Sequence, residues 1–292
     1  MTKKERGLKL TGRIFSIEEF ATFDGPGIRM TVFFKGCPLR CSWCHNPESQ
    51  RSEVEYARSP NGCLNCGSCL RAAVRDAKGD LHLTAASAEA CPRRLVRRCG
   101  EDFTVAALCA RIMANAAILR STGGGVTFSG GEPFAQADFL FSCLQALRGE
   151  VHTAIQTCGY TDREKFAKGL SLCDYMLYDL KLIDPAQHRK YCGTDNAGIL
   201  ENYRALAASG KPFVTRIPLI PGVTDTVENL SAIASFVEKQ GVDYVELLPY
   251  NRMAGSKYVG LLRPFAPGFD EKRAVEPHTE IFEKHGIRAK KM

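Results

Sequence analysis

From about residue 104 onward, helix and strand patterns alternate regularly, and this constrains the fold more than any other feature. A helical pattern over 104–119, opened by the N-cap candidate Thr104, leads into a strand at 125–129 (GVTFS). Helix 135–148, strand 151–156, a helix near 162–170 and strand 174–179 follow. Helix 198–209, strand 212–219, helix 226–240, strand 243–248 and a last helix near 270–285 complete the series. Upstream, 11–19 and 29–35 (RMTVFFK) are rich in Val, Ile and Phe and read as strands. Strands separated by helices pair in parallel through βα crossovers. Counting strand 29–35 gives six βα-type units, short of the eight needed to close a barrel. The expectation is an α/β chain built as a partial, open (β/α)6 barrel.

Residues 49–103 break that rhythm. A structureless loop of this length does not suit a compact domain, and the stretch holds five of the thirteen cysteines. We therefore expect two units: a barrel made of 1–48 and 104–292, and a small insert, 49–103, held together by metal. The start, MTKKERGLKL, is basic but has no apolar segment behind it, so no export signal is read there. No apolar run approaches the roughly 18 residues of a membrane span. A cytoplasmic chain is expected, and in a reducing compartment clustered cysteines more often bind metal than form disulfides. The net charge of +7 comes without a basic stretch interleaved with aromatics, so neither nucleic acid nor membrane is an expected partner. A basic surface suits an acidic protein.

Gly36-Cys37-Pro38-Leu39-Arg40-Cys41-Ser42-Trp43-Cys44 places a C-x3-C-x2-C run just after a strand. Three thiolates can hold three irons of a [4Fe–4S] cube and leave the fourth open to a small molecule, whereas an electron-transfer cluster normally has four cysteines. The alternative is a zinc site closed by His45. In the insert, Cys63-Leu64-Asn65-Cys66-Gly67-Ser68-Cys69 is followed by Cys91-Pro92 and Cys99. This keeps three cysteines of one ferredoxin run and the Cys-Pro that ends another. The simplest reading is a ferredoxin-like insert with a second [4Fe–4S] cluster on Cys63, Cys66, Cys69 and Cys91. Zinc on the same four residues, and Cys99 as fourth ligand, remain the alternatives. Arg93, Arg94, Arg97 and Arg98 lie beside Cys91 and would attract an acidic flavodoxin or ferredoxin, or form a solvated basic face.

The first cysteine run, with aromatic Trp43 before its last cysteine, resembles the signature of the radical S-adenosylmethionine (SAM) superfamily. Gly25-Pro26-Gly27-Ile28-Arg29 and Phe33 through Glu48 resemble the activating enzymes of glycyl radical enzymes, and the likeness runs on to about residue 260. It implies that SAM binds the open iron through its amino and carboxylate groups. It also implies that reductive cleavage gives a 5′-deoxyadenosyl radical, which takes a hydrogen from a glycine Cα of a partner glycyl radical enzyme, the insert favouring an eliminase or decarboxylase over pyruvate formate-lyase. The rivals are a radical SAM peptide-modifying enzyme with an auxiliary cluster and, from another class, an electron carrier or zinc-stabilised binding protein.

The resemblance also assigns roles at the strand ends. Gly130-Gly131-Glu132, in Ser129–Pro133, resembles the motif that binds the methionyl part of SAM; glycines there let the backbone approach a ligand closely. Asp179 and Lys181, two apart on one strand, point to the same side, and the resemblance puts the lysine near the SAM carboxylate. Gln156 and Asn251 stand where the family shows an acid and a histidine. Both still hydrogen-bond, but neither carries charge, which bears on SAM binding and on a monovalent cation. Arg216, Trp43 and His45 complete the expected cofactor contacts, Trp43 against the cluster or the adenine. Gly123-Gly124-Gly125 is read as a turn, His188 to Thr194 as a polar loop, and Cys109, Cys143, Cys158, Cys173 and Cys192 as small apolar residues.

Overall fold

The computed structural model describes residues 9–292; residues 1–8, read above for an export signal, lie outside the described residues. Strand β1 (Thr11–Ala21) turns back antiparallel on β2 (Arg29–Phe34). The insert then contributes β3 (Glu55–Arg58), α1 (Ser68–Arg71), β4 (Val74–Arg75), β5 (Leu81–His82), α2 (Ala85–Glu89) and β6 (Val96–Cys99). The chain rejoins the sheet at β7 (Glu101–Thr104) and enters α3 (Val105–Met113) and α4 (Ala116–Ser121). The alternation that follows is β8 (Gly125–Gly130), α5 (Ala137–Leu147), β9 (His152–Thr157), α6 (Arg163–Leu172), β10 (Tyr175–Asp179), α7 (Pro185–Cys192) and α8 (Ala197–Ala207). It ends with β11 (Phe213–Leu219), α9 (Val227–Glu238), β12 (Tyr244–Pro249), α10 (Ala254–Gly260), α11 (Thr279–Lys284) and β13 (Arg288–Lys291).

One nine-stranded sheet runs β13-β12-β11-β10-β9-β8-β2-β1-β7, parallel from β2 to β13 and antiparallel at β1 and β7. β13 and β7 end it without pairing to each other, so the barrel is partial and open, as the sequence implies. Its apolar strand residues, among them Val32, Phe128, Ile155, Met176, Ile217 and Leu247, share one buried cluster with the helices' inner faces, such as Leu108, Leu144, Phe166, Tyr203 and Ile233. Helix starts follow local chemistry. The side chains of Thr104, Asp162, Asp184 and Thr226 accept the N–H three residues on, opening α3, α6, α7 and α9.

Several expectations need revision. The helix expected at 104–119 is two, broken at Ala114–Asn115. The expected polar loop around His188 is helix α7, capped by Asp184, opened by Pro185 and closed by left-handed Gly193. Helix α10 is not marked in the sequence, because two glycines weaken its pattern. Edge strand β13 is mostly charged, so it lacks an apolar alternation, and it brings the parallel strands to seven. Within 49–103 the chain is ordered into two small antiparallel pairs, β3–β6 and β4–β5. They surround a core of Cys69, Leu83 and Val96.

Candidate functional site

The C-terminal ends of the parallel strands open onto a cavity of about 1180 Å³, including its mouth. Into it come Cys37, Cys41, Trp43, Cys44 and His45 from the loop after β2, and Gly130 and Gly131 from the end of β8. Gln156 from β9, Asp179 and Lys181 from and after β10, and Asn251 just past β12 complete the expected set. Glu132 and Arg216 are the two expected cofactor contacts that do not line it.

The thiol loop is fixed by backbone bonds on both flanks. Gly36 N–H donates to Ser49 C=O at 2.7 Å and Cys37 N–H to Gln50 C=O at 3.2 Å. On the other side, Arg40 N–H donates to Cys192 C=O at 2.8 Å and Ser42 N–H to Tyr191 C=O at 2.9 Å. Trp43, only 7% exposed, packs with Leu182, Ile220 and Val223 on the cavity wall. Beneath the loop, Gly130 has φ +116°, and a Cβ there would lie 2.2 Å from Phe34 N. A Cβ on Gly131 would lie 2.4 Å from Gly36 C=O. Only glycine lets this turn come so close under the cysteine loop.

Glu132 serves the architecture. Fully buried, its carboxylate accepts from Cys158 N–H (2.9 Å), Thr157 Oγ1 (2.8 Å), Cys158 Sγ (3.0 Å) and Phe134 N–H (3.2 Å). It ties the end of β8 to the end of β9 and supports the cavity from below. Burial raises its pKa, against the lowering effect of those donors. Arg216 is likewise occupied, donating to Glu246 at 3.1 Å and to Phe23 C=O, with Asp24 at 3.7 Å. Asp24 itself does line the cavity. It accepts from Thr31 Oγ1 at 2.8 Å. It was not singled out in the sequence, although it directly precedes the quoted Gly25-Pro26-Gly27.

The charges inside are sparse. Lys181 Nζ meets Asp179 Oδ2 at 3.1 Å. Burial opposes the lysine's charge, but Asp179 and the nearby thiols outweigh it and raise its pKa. Gln156 accepts from Ser129 Oγ at 3.1 Å, and Asn251 Oδ1 accepts from Met253 N–H at 2.9 Å, so both neutral replacements are partly engaged locally.

Among the described residues, four buried side-chain polar atoms lack a hydrogen-bond partner: Ser42 Oγ, His45 Nδ1, Glu48 Oε2 and Asp179 Oδ1. Three lie on the segment that begins between Cys41 and Cys44, and the fourth lines the cavity. Such a concentration suits a site that receives a polar or ionic ligand. Burial pushes the Cys44 thiol up to about 12 and the Cys37 thiol higher still. These sulfurs therefore ionise when a cation offsets the charge, as iron would.

A second thiol set lies in the insert. Cys63, Cys66, Cys69 and Cys91 line one small cavity with Arg58 and Arg93, and Cys99 is not among its lining residues. Cys99 faces inward at the end of β6, opposite Glu55, where burial raises its pKa. Backbone N–H groups reach the insert's sulfurs, Asn65 to Cys63 at 3.4 Å and Leu95 to Cys91 at 3.3 Å. Among the described residues no three His, Cys, Asp or Glu side chains converge as one metal ion would require. The other five cysteines are buried, and Cys192 packs in the cluster that also touches Cys41.

Comparison with known proteins gives the site its context. A family described as a 4Fe-4S single cluster domain matches residues 23–184, more than half of the chain. The isethionate sulfite-lyase activating enzyme of Nitratidesulfovibrio vulgaris is 40% identical, covering 86% of this chain and 87% of that protein. The trans-4-hydroxy-L-proline dehydratase activating enzyme of Clostridioides difficile is 36% identical, over 95% and 98%. The pyruvate formate-lyase 2-activating enzyme of Escherichia coli is 37% identical, over 84% and 80%.

Proposed function

The chain belongs to the radical SAM activating enzymes of glycyl radical enzymes, and on that premise we propose how its residues do the work and what kind of partner it serves. Membership sets aside the electron-carrier, zinc-protein and peptide-modifying alternatives. The chemistry supplied by its cofactors is reductive cleavage of SAM at a [4Fe–4S] cluster, giving the radical that removes hydrogen from a glycine of the partner. In this reading Cys37, Cys41 and Cys44 hold that cluster. The observation that carries it is their convergence with Gly130, Gly131, Asp179 and Lys181 on one cavity from separate elements.

The remaining roles follow from position. Gly130 and Gly131 present backbone to the methionyl part of SAM, and Lys181 offers its ammonium to the carboxylate. With Gln156 neutral, the unpartnered Oδ1 of Asp179 is the acceptor left for the amino group of SAM or for a monovalent cation. Trp43 and the wall behind it keep water from the thiol loop. Glu132 and Arg216 are positioning residues.

We further assign Cys63, Cys66, Cys69 and Cys91 to a second [4Fe–4S] cluster, since these four share a cavity that Cys99 does not line. Arg58 and Arg93 at that cavity, with exposed Arg94, Arg97 and Arg98, suit an acidic flavodoxin or ferredoxin as electron donor. The partner we propose is an eliminase or decarboxylase. The relatives named for a sulfite-lyase and a dehydratase, the latter over nearly the full length of both chains, support that class. The pyruvate formate-lyase 2 activator is also a relative, at 37% identity.

The test is anaerobic: reconstituted protein, reductant, SAM and candidate partners of each class, with the glycyl radical read by electron paramagnetic resonance. A radical on an eliminase or decarboxylase partner supports the proposal. A radical only on an acyl-cleaving lyase refutes the partner class while leaving the chemistry intact. Iron analysis tests the second cluster: Cys91→Ala should lower bound iron from about eight to about four per chain, and Cys99→Ala should not. The reverse pattern would overturn the assignment.

A further inference from the structure

The two thiol sets open onto different cavities, one at the strand ends and one in the insert, so an electron can reach the first set from the side of the second. A strap formed by α10 and the residues up to Arg263 lies between the two thiol sets and touches both. At one end Leu262 packs in the apolar cluster of Cys69 and Cys91. Gly260 lies so close to β3 that a Cβ would meet Arg58 C=O at 2.7 Å. One turn back, the hydroxyl of Tyr258, a residue only 9% exposed, accepts from Gln50 Nε2 at 3.5 Å. Gln50 in turn accepts the Cys37 N–H through its carbonyl.

Charged bonds hold the strap against the segment after Cys44. Lys257 Nζ donates to Asn46 Oδ1 at 2.7 Å and stands 3.3 Å from Glu48. Arg263 donates to Pro47 C=O at 2.9 Å and pairs with Glu55 of β3. No residue of the strap from Lys257 onward lines the cavity. In the insert Cys66 is exposed, whereas the side chain of Cys41 packs against a buried apolar cluster.

We propose that Lys257–Arg263, with Gln50, is the bridge between the two thiol sets, and that the electron for SAM cleavage enters through the insert. This rests on the reading of Cys63, Cys66, Cys69 and Cys91 as a second cluster. A one-electron carrier of the flavodoxin or ferredoxin class docks at the arginine-rimmed face and is oxidised by one electron. The same electron leaves on the barrel side in the S–C5′ bond of SAM. That bond breaks to give methionine and the deoxyadenosyl group that takes the glycine hydrogen.

The bridge is tested on the reconstituted holoenzyme, fully reduced without SAM, by electron paramagnetic resonance. Joined through the strap, the two centres should interact, giving broadened or split signals. Those signals should differ from the sum of the Cys41→Ala and Cys91→Ala spectra. A second arm times reduction of the remaining centre in Cys91→Ala with a reduced flavodoxin and with dithionite. With docking and route both altered, the ratio of carrier to dithionite rates should fall roughly tenfold or more. Additive spectra, or an unchanged ratio, would overturn the bridge while about eight irons per chain keep the second cluster. About four irons in the unaltered protein would remove both.

Discussion

The two thiol sets make the most instructive comparison in the molecule. The barrel's three cysteines sit in a loop bonded on both flanks and seated on the large sheet-and-helix core. Their surroundings oppose ionisation: burial chiefly raises Cys37 and Cys44, and a hydrogen bond with Cys192, then burial, raises Cys41. The insert's four surround a cavity on a core of three buried side chains. There Cys66 and Cys91 are lowered by hydrogen bonds, from Ser68 in one case and the Leu95 N–H in the other. The barrel positions its thiols by folding and relies on the metal for their charge. In the insert two thiols, Cys66 and Cys91, are poised for charge, and on the proposed assignment the metal would supply the fold, since so small a core does not offset the entropy of ordering the segment.

The largest effect expected from this contrast is at the barrel loop. Cys41→Ala should abolish 5′-deoxyadenosine formation while the insert keeps about four irons. Product formation by that variant would make the two sets interchangeable and end the distinction. Next, stripping iron with a chelator and adding a protease should cut first between 59 and 95, with the barrel surviving as a stable fragment. Cutting that begins in the barrel would reverse the order of dependence.

A glycine pair sharpens the comparison. Gly131→Ala drives a Cβ into the Gly36 carbonyl, and should cost on the order of 2–3 kcal/mol in unfolding measurements. Gly67→Ala in the insert meets only the flexible end of Arg71, so its penalty is the left-handed backbone, about 1 kcal/mol. Equal losses would mean that the barrel loop is no more tightly built than the insert. The smallest effect is chemical. In metal-free protein at mildly alkaline pH, Cys66 and Cys91 should alkylate before Cys37 and Cys44. A lowered pKa gives more thiolate at that pH, and a raised one less. Mass spectrometry of labelled peptides would show the order.

Much of this was legible in the sequence, and the losses have physical causes. Strands such as β8 and β10 are apolar runs bounded by turn residues, so period and composition sufficed to find them. Helix α7 reads as a loop although Asp184 and Pro185 mark its start, because the residues that follow are polar. The roles of Glu132 and Arg216 could not be read, because a carboxylate at a strand end looks the same whether it meets a ligand or Thr157 and Cys158. The strap over Asn46 and Pro47 comes from residues 211 and 216 positions away, which no local pattern reports.

By itself the sequence determined the class of fold and the grouping of the cysteines into two runs, because alternating periodicity and cysteine spacing are local properties of a chain. Tertiary structure alone decided which groups share the cavity and which hold it up. It turned Glu132 inward, paired Arg216 with Glu246, placed Cys91 and not Cys99 at the insert's cavity, and laid α10 between the two sets. Those outcomes depend on burial and on contacts between distant segments, where desolvation makes a charged side chain find a partner.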